Sequence, residues 1–112
     1  MRVLFVDDEA LIVLLASSWL EDLGCEVETA FNATQALAKL KSEPRFDVLV
    51  TDVNMPGMSG HELAKRATDI RPGLKVVLLS GAGADPHGLP LIRKPFFQDD
   101  LKRVIKATPE VR

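Results

Sequence analysis

Asp47-Val48-Leu49-Val50-Thr51-Asp52, followed by Val53-Asn54-Met55-Pro56-Gly57-Met58-Ser59-Gly60, is the stretch that decides the fold. An apolar run that ends in a carboxylate and then breaks into Pro and Gly predicts a buried strand with Asp52 at its carboxyl end. In an open parallel α/β sheet, ligands bind at the carboxyl ends of the strands. Asp7 and Asp8 close an earlier apolar run, residues 3–6, in the same way. Three carboxylates at one sheet edge predict a cation site.

Short β-like runs alternate with longer helical patterns along the chain, which indicates βαβ units and a parallel sheet. The predicted strands are 3–6, 27–30, 48–51, 76–80 and 91–92, and the predicted helices are 10–23, 33–41, 60–70 and 99–108. Pro44 is expected to end the region before the third strand. Ser80 and Lys94 are separated by 13 residues, 81 to 93, which include three Gly and two Pro. A mean helix takes about 11 residues and a strand about 5, so a helix does not fit in this fourth crossover.

Local signals refine these elements. Asn32 to Gln35 and Ser59 to Glu62 have capping-box form, and each is expected to open a helix. On the first helix, Trp19 with Leu11, Leu15 and Leu23 fits an amphipathic core face. His61 and His87 have no second His, Cys or acid at metal spacing in the sequence, so both are interpreted as surface histidines. Cys25 stands alone and is interpreted as a small buried hydrophobe.

Composition limits the function. The 112 residues predict a single domain, 1–112, with no room for a DNA-binding module. The net charge is −2 and the basic residues are dispersed, so nucleic acid is not an expected ligand. The apolar stretch 10–16 is too short to span a bilayer, and Arg2 is followed by only four apolar residues. We expect a cytoplasmic protein without a membrane segment.

Four predicted strands deliver polar groups to the same edge. Asp7 and Asp8 follow the first strand, Asp52 ends the third, Ser80 ends the fourth and Lys94 follows the fifth. Two carboxylates about 5 Å apart repel by roughly 3 kcal/mol at an effective dielectric constant near 20, so a divalent cation or Lys94 must offset them, or a pKa must rise. Oxygen ligands suit Mg2+. Lys94 and the Ser80 hydroxyl would hold the oxygens of a phosphoryl group, and a carboxylate that attacks phosphorus gives an aspartyl-phosphate.

With these polar residues at four strand ends and in this order, the chain resembles the receiver domains of two-component response regulators, the CheY-like proteins, over essentially its whole length. The matching residues are Asp7-Asp8, Asp52 with residues 55–60, Ser80-Gly81 and Lys94-Pro95-Phe96. The resemblance implies a doubly wound, flavodoxin-like α/β fold with a five-stranded parallel sheet of order 2-1-3-4-5. Here helix four, the helix of the fourth crossover, is expected to be short or absent. A cis Lys94-Pro95 peptide is also implied.

The resemblance further implies roles for single residues. Asp52 would accept a phosphoryl group from the phosphohistidine of a histidine kinase or a histidine phosphotransfer domain. Asp8 would bind Mg2+ directly, Asp7 would assist, and Asn54 would offer its backbone carbonyl. Ser80 would bond the phosphoryl group and Lys94 would neutralise its charge. Such a protein is a signalling switch or relay rather than a metabolic enzyme, and it catalyses only its own phosphorylation and dephosphorylation.

Two departures from the family keep alternatives open. Leu91 stands where many receivers carry the aromatic residue of the switch, and the fourth crossover is short. We therefore expect either that the output uses another surface or that Asp52 mainly relays phosphoryl groups. A second hypothesis is a phosphate-independent interaction module on the same fold. A third, an aspartyl-phosphate hydrolase of the dehalogenase type, fits poorly because Asp7 and Asp8 are adjacent, whereas that family places an Asp-x-Asp motif after strand one.

Overall fold

A computed structural model describes residues 1–43, 45–81 and 85–107. The elements in chain order are β1 (Arg2–Val6), α1 (Ala10–Asp22), β2 (Glu26–Ala30), α2 (Ala33–Ser42), β3 (Val48–Asp52), α3 (Gly60–Ile70), β4 (Lys75–Ser80), β5 (Leu91–Arg93) and α4 (Gln98–Ala107). Each predicted strand and helix is present, and the described ends differ from the predicted ones by at most one residue. Pro44 and residues 108–112 lie outside the described residues. This range includes Thr108, the predicted last residue of the final helix.

The five strands form one sheet of order β2-β1-β3-β4-β5, and every pairing is parallel. This confirms the expected doubly wound, CheY-like fold. The central strands are buried on both faces because helices cover both, so β3 and β4 are apolar apart from the residues at their ends. The sheet has a hydrophobic core on each face, and alternate residues of each strand point into one core or the other. Leu4 and Leu49 pack on the side of α2 and α3, whereas Phe5 and Val50 pack on the other side, with α1 and α4.

Side-chain caps fix the starts of two helices. The Asn32 side chain accepts a hydrogen bond from the Gln35 N–H at 2.8 Å, and Gln35 in turn accepts one from the Phe31 N–H at 2.9 Å. Ser59 caps α3 by accepting from the Glu62 N–H at 3.2 Å. Because α3 starts eight residues after β3 ends, this second cap also sets the length of the loop that follows Asp52.

The fourth crossover was expected to be too short for a helix, and its described part contains a turn instead. Its described residues, 81 and 85–90, hold no helical segment, and the Gly88 N–H donates to the Asp85 carbonyl at 3.0 Å to close the turn. Residues 82–84 lie outside the described residues. Gly88 has φ +78°, a left-handed conformation that costs glycine little. The edge strand β5 that follows is only three residues long.

The predicted core face of α1 is wrong at two positions. Leu11 is 80% exposed and Leu15 is 47% exposed, whereas Val13, Ala16 and Leu20 are buried. Almost every residue in the first two turns of α1 is apolar, so the periodicity of the sequence does not select a face. The burial of Cys25 was predicted and is confirmed; burial also raises the pKa of its thiol. Within the three described ranges, no helix is long and apolar enough to cross a membrane.

Candidate phosphoacceptor and metal site

The three predicted acids converge at the carboxyl edge of the sheet. Carboxylate oxygens of Asp7, Asp8 and Asp52 lie within 4.8 Å of one another. Asp7 is fully buried, Asp52 is 6% exposed and Asp8 faces solvent. The backbone explains the convergence, because β1 and β3 are adjacent parallel strands that end at the same height, with Val6 paired to Thr51. The donor set consists of oxygens and is open on one side, which fits Mg2+ with several retained waters.

Lys94 lies between two of these acids. Its Nζ is 3.0 Å from Asp7 Oδ2 and 3.2 Å from Asp52 Oδ2. The residue reaches this position because β5 ends at Arg93 and the Lys94 N–H donates to the Ser80 carbonyl at 2.8 Å. The expected cis peptide between Lys94 and Pro95 is present. The single ammonium group of Lys94 therefore offsets only part of the negative charge of the three carboxylates. The cluster keeps a net negative charge that would attract a cation.

Burial and charge act in opposite directions on the pKa values of this cluster. Burial raises the pKa of Asp7 above its usual value, although the Glu9 N–H bond and Lys94 oppose the shift. Burial would lower the pKa of Lys94, but its hydrogen bond to Asp7 and the charges of Asp7 and Asp52 outweigh it and raise that pKa. Lys94 is thus held as a cation beside the buried carboxyl group of Asp7.

The loop after Asp52 is held by its backbone. The Asn54 N–H donates to Asp52 Oδ1 at 3.3 Å, and the Gly60 N–H donates to the Val53 carbonyl at 2.9 Å. A Cβ on Gly60 would collide with the Asp52 carbonyl oxygen, so only glycine allows α3 to start so close to β3. Gly60 is a supporting residue whose role the sequence did not reveal, since its φ is ordinary and the close approach is tertiary.

Ser80 ends β4 beside the acidic cluster. It is 8% exposed, and the preceding residue, Leu79, pairs in register with Asp52. The sequence thus placed Asp7, Asp8, Asp52, Ser80 and Lys94 at one edge, and the structure brings the three acids and the lysine into contact distance. The metal role of the Asn54 carbonyl and the phosphoryl role of the Ser80 hydroxyl stay predictions.

The two histidines lie at the surface as interpreted, His61 partly exposed and His87 exposed, but they are close to each other and to Asp85. His61 Nε2 lies 2.5 Å from Asp85 Oδ1, and the His61 and His87 rings are 5.3 Å apart between centroids. These residues are 24 and 26 positions apart in the chain, so no local spacing could reveal the cluster. The short crossover lies against the start of α3 and brings them together.

Comparison with known proteins assigns the family. The family model of the response regulator receiver domain matches residues 3–106, and the chain belongs to this family. The chain is 34% identical over 113 residues to the response regulator receiver protein CpdR of Brucella abortus (strain 2308). The alignment covers 94% of this chain and 93% of that protein. The chain is also 47% identical over 75 residues to the virulence sensor protein BvgS of Bordetella pertussis. That alignment covers 65% of this chain and 6% of BvgS.

Solved structures agree with this assignment. The chemotaxis protein CheY4 of Vibrio cholerae matches with a TM-score of 0.87 and 31% identity, covering 96% of this chain and 98% of that one. The receiver domain of the hybrid histidine kinase CckA matches with a TM-score of 0.86 and 30% identity, covering 96% and 97%. The protein is therefore a signalling module of two-component systems, and a magnesium site with a phosphorylated aspartate is consistent with its family.

Proposed function

We propose that residues 1–112 form a single receiver domain that takes a phosphoryl group from phosphohistidine onto Asp52 in a Mg2+-dependent reaction, in the cytoplasm. The observation that carries this proposal is the position of Lys94 Nζ, 3.0 Å from Asp7 and 3.2 Å from Asp52, within a cluster of three carboxylates. A purely structural acidic cluster does not need a lysine from the fifth strand between its members. The partner would be a histidine kinase, a histidine phosphotransfer domain, or both.

Each residue of the site has a chemical task in this proposal. An oxygen of Asp52 forms the new bond to phosphorus while the phosphorus–nitrogen bond of the donor breaks, and the imidazole leaves with a proton from solvent. Asp7 and Asp8, with Asp52 and the Asn54 carbonyl, would hold Mg2+, which supplies charge neutralisation for the phosphoryl oxygens. Lys94 would neutralise a further oxygen, and the Ser80 hydroxyl would donate to another. Phosphoryl transfer depends mainly on such positioning and electrostatic stabilisation.

An apolar surface beside the site supports a protein donor. Leu11, Leu14 and Leu15 of α1 are exposed, and so is Phe97, at 66%. A cavity of about 490 Å3 is lined by Leu15, Phe97 and Lys94, together with further apolar side chains that include Ile12, Trp19 and Phe96. Exposed apolar patches of this kind mark interaction sites. A partner that contacts this surface would bring its phosphohistidine to the edge that holds Asp52.

A substitution on this surface separates docking from chemistry. We expect Leu15→Asp to slow transfer from a phosphorylated histidine protein while leaving phosphorylation by acetyl phosphate, a small donor, unchanged. Ala38→Asp is the control, because it adds the same single negative charge at an exposed position of α2, on the opposite face of the sheet. Equal slowing of both donors by Leu15→Asp would contradict docking through α1 and indicate damage to the site itself.

The direct test of the proposal is an amide NMR titration with beryllofluoride and Mg2+, which mimic the phosphoryl group. We expect large shifts around Asp52, Ser80 and Lys94 that require both components. Asp52→Asn should abolish them, whereas Asp47→Asn, a change at another buried carboxylate outside the cluster, should retain them. Absence of shifts in the folded wild-type protein would refute the phosphoacceptor function.

That result would favour the second candidate, a phosphate-independent interaction module. Two observations motivate it: Leu91 occupies the position of the family's aromatic switch, and the described part of the fourth crossover, residues 81 and 85–90, has no helix. The usual output face is therefore altered, and the spread of the NMR shifts would locate the surface that responds instead.

A further inference from the structure

His61, Asp85 and His87 form a cluster on the face of the molecule between α3 and the fourth crossover. His61 belongs to the first turn of α3, and the other two belong to the crossover. The cluster borders a cavity of about 470 Å3 that has an apolar floor and a polar rim, with Ala64, Val76, Leu89, Glu62, Lys65 and Thr68 among its lining residues. The acidic cluster at the sheet edge contributes none of the residues that line this cavity.

Asp85 fixes the orientation of His61. The Asp85 side chain is 1% exposed, and its Oδ1 lies 2.5 Å from His61 Nε2. Its Oδ2 accepts hydrogen bonds from the N–H groups of His87 at 3.2 Å and Leu89 at 2.9 Å, so the carboxylate cannot rotate freely. Because this contact engages Nε2, Nδ1 is the ring nitrogen of His61 that is left for a metal.

This arrangement is the one found behind histidines that bind metals. A metal-binding histidine usually donates its second ring N–H to a carboxylate, which sets the tautomer and increases the basicity of the ligating nitrogen. Here the carboxylate is buried and the imidazole is only partly covered, with 32% of the His61 side chain exposed. The His61 ring is therefore held by a buried carboxylate and lines the cavity.

The spacing of the two rings matches a shared ion. Two imidazoles that bind one tetrahedral Zn2+ at about 2.0–2.1 Å have ring centroids roughly 5 Å apart. The observed separation is 5.3 Å, with 68° between the ring planes. Among the described residues, the His87 ring makes no hydrogen bond with another side chain, so no internal partner competes for it. The adjoining cavity has room for the water molecules that would complete the coordination.

We infer that His61 and His87 bind one divalent transition-metal ion, of which Zn2+ is the type, with Asp85 as a positioning residue. Imidazole nitrogens select such ions, whereas the oxygen cluster at the sheet edge selects Mg2+. The bound ion would tie the start of α3 to the short fourth crossover. This inference does not rest on the proposed phosphoacceptor function, since it uses none of the residues of that site.

The test is a titration of untagged, reduced protein with ZnCl2 in millimolar MgCl2, followed by calorimetry and amide NMR. Mg2+ keeps the acidic cluster occupied and limits competition from it. We expect one-to-one binding, with shifts confined to residues near 61 and 85–89. His61→Gln and His87→Gln should each weaken binding at least about tenfold, and Asp85→Asn, which retains an oxygen acceptor for the turn, about tenfold.

Lys65→Gln is the matched control, because Lys65 lines the same cavity without being a proposed ligand. Its removal should leave the affinity for Zn2+ unchanged or increase it, since a positive charge is lost. Three outcomes would overturn the inference: no binding by the wild-type protein, binding that both histidine variants retain, or shifts centred on Asp52. A native amide spectrum for each variant would show that a loss of binding is not a loss of folding.

Discussion

Replacing the phosphoacceptor carboxylate should leave the protein as stable as before or make it more stable. Carboxylate oxygens of Asp7, Asp8 and Asp52 lie within 4.8 Å of one another, which corresponds to a repulsion of about 3 kcal/mol for each pair at an effective dielectric constant near 20. Lys94 lies 3.2 Å from Asp52, which corresponds to an attraction of about 5 kcal/mol on the same scale. The two repulsions on Asp52 thus slightly exceed its one attraction.

Asp52→Asn removes all three of these terms together. Lys94 keeps its partner Asp7 at 3.0 Å, and the Asn side-chain oxygen still accepts the Asn54 N–H. Because Asp8 is exposed, solvent screens its share of the repulsion. We expect the free energy of unfolding without metal to change by between about 0 and +2 kcal/mol.

Urea unfolding in the presence of a chelator measures this change through the transition midpoint, at an unchanged slope. Asp47→Asn is the control. It is also a buried carboxylate, but it accepts the Arg2 N–H at 2.8 Å and stands outside the acidic cluster, so the variant should lose about 1 kcal/mol. A loss of more than about 1 kcal/mol in Asp52→Asn would refute the crowding of charge at this edge.

Three further predictions concern the same site. Mg2+ at tens of times its dissociation constant should raise the unfolding free energy of the wild type by about 2 kcal/mol. The variant Asp8→Asn should lose most of this gain, and thermal melts with and without the metal measure both effects. Burial raises the pKa of Asp7 in the folded state, so the folded protein retains a proton that the unfolded chain has lost. The unfolding free energy of the wild type, compared with that of Asp7→Asn, should therefore fall as the pH rises from about 4 and should level off above the folded pKa of Asp7. A difference between the two proteins that stays constant up to about pH 7 would contradict the raised pKa. Gly60→Ala should cost about 1–3 kcal/mol, because its Cβ would meet the Asp52 and Val53 backbone, whereas Gly73→Ala, with open space around it, should be nearly neutral in the same urea experiment.

Much of the fold could be predicted because its signals are local. The run from Val48 to Asp52 is apolar, ends in a carboxylate and precedes a Pro-Gly loop, and β3 covers those same residues. The caps at Asn32 and Ser59 and the shortness of the fourth crossover also depend on nearest neighbours or on a count of residues. These features follow from backbone geometry and hydrogen bonding over a few positions, so the sequence contains them directly.

The site residues were predictable as a set because parallel strands deliver their carboxyl ends to one edge. The distances were not. Lys94 and Asp7 are 87 residues apart in the chain, and their 3.0 Å contact depends on the order of the strands and on where β5 ends. The order itself was supplied by the resemblance to a family, since apolar runs of similar composition carry no record of which strand pairs with which.

By itself, the sequence determined the α/β class, the element boundaries to within a residue or two and the acids at the sheet edge, because each depends on local chemistry or on strand polarity. Only the tertiary structure decided which face of α1 is buried, leaving Leu11 and Leu15 exposed, because the first two turns of α1 are apolar all round and have no periodic preference. It also decided that His61, Asp85 and His87 meet. Packing of the crossover against α3 creates that contact, and packing between distant segments is a property of the whole chain.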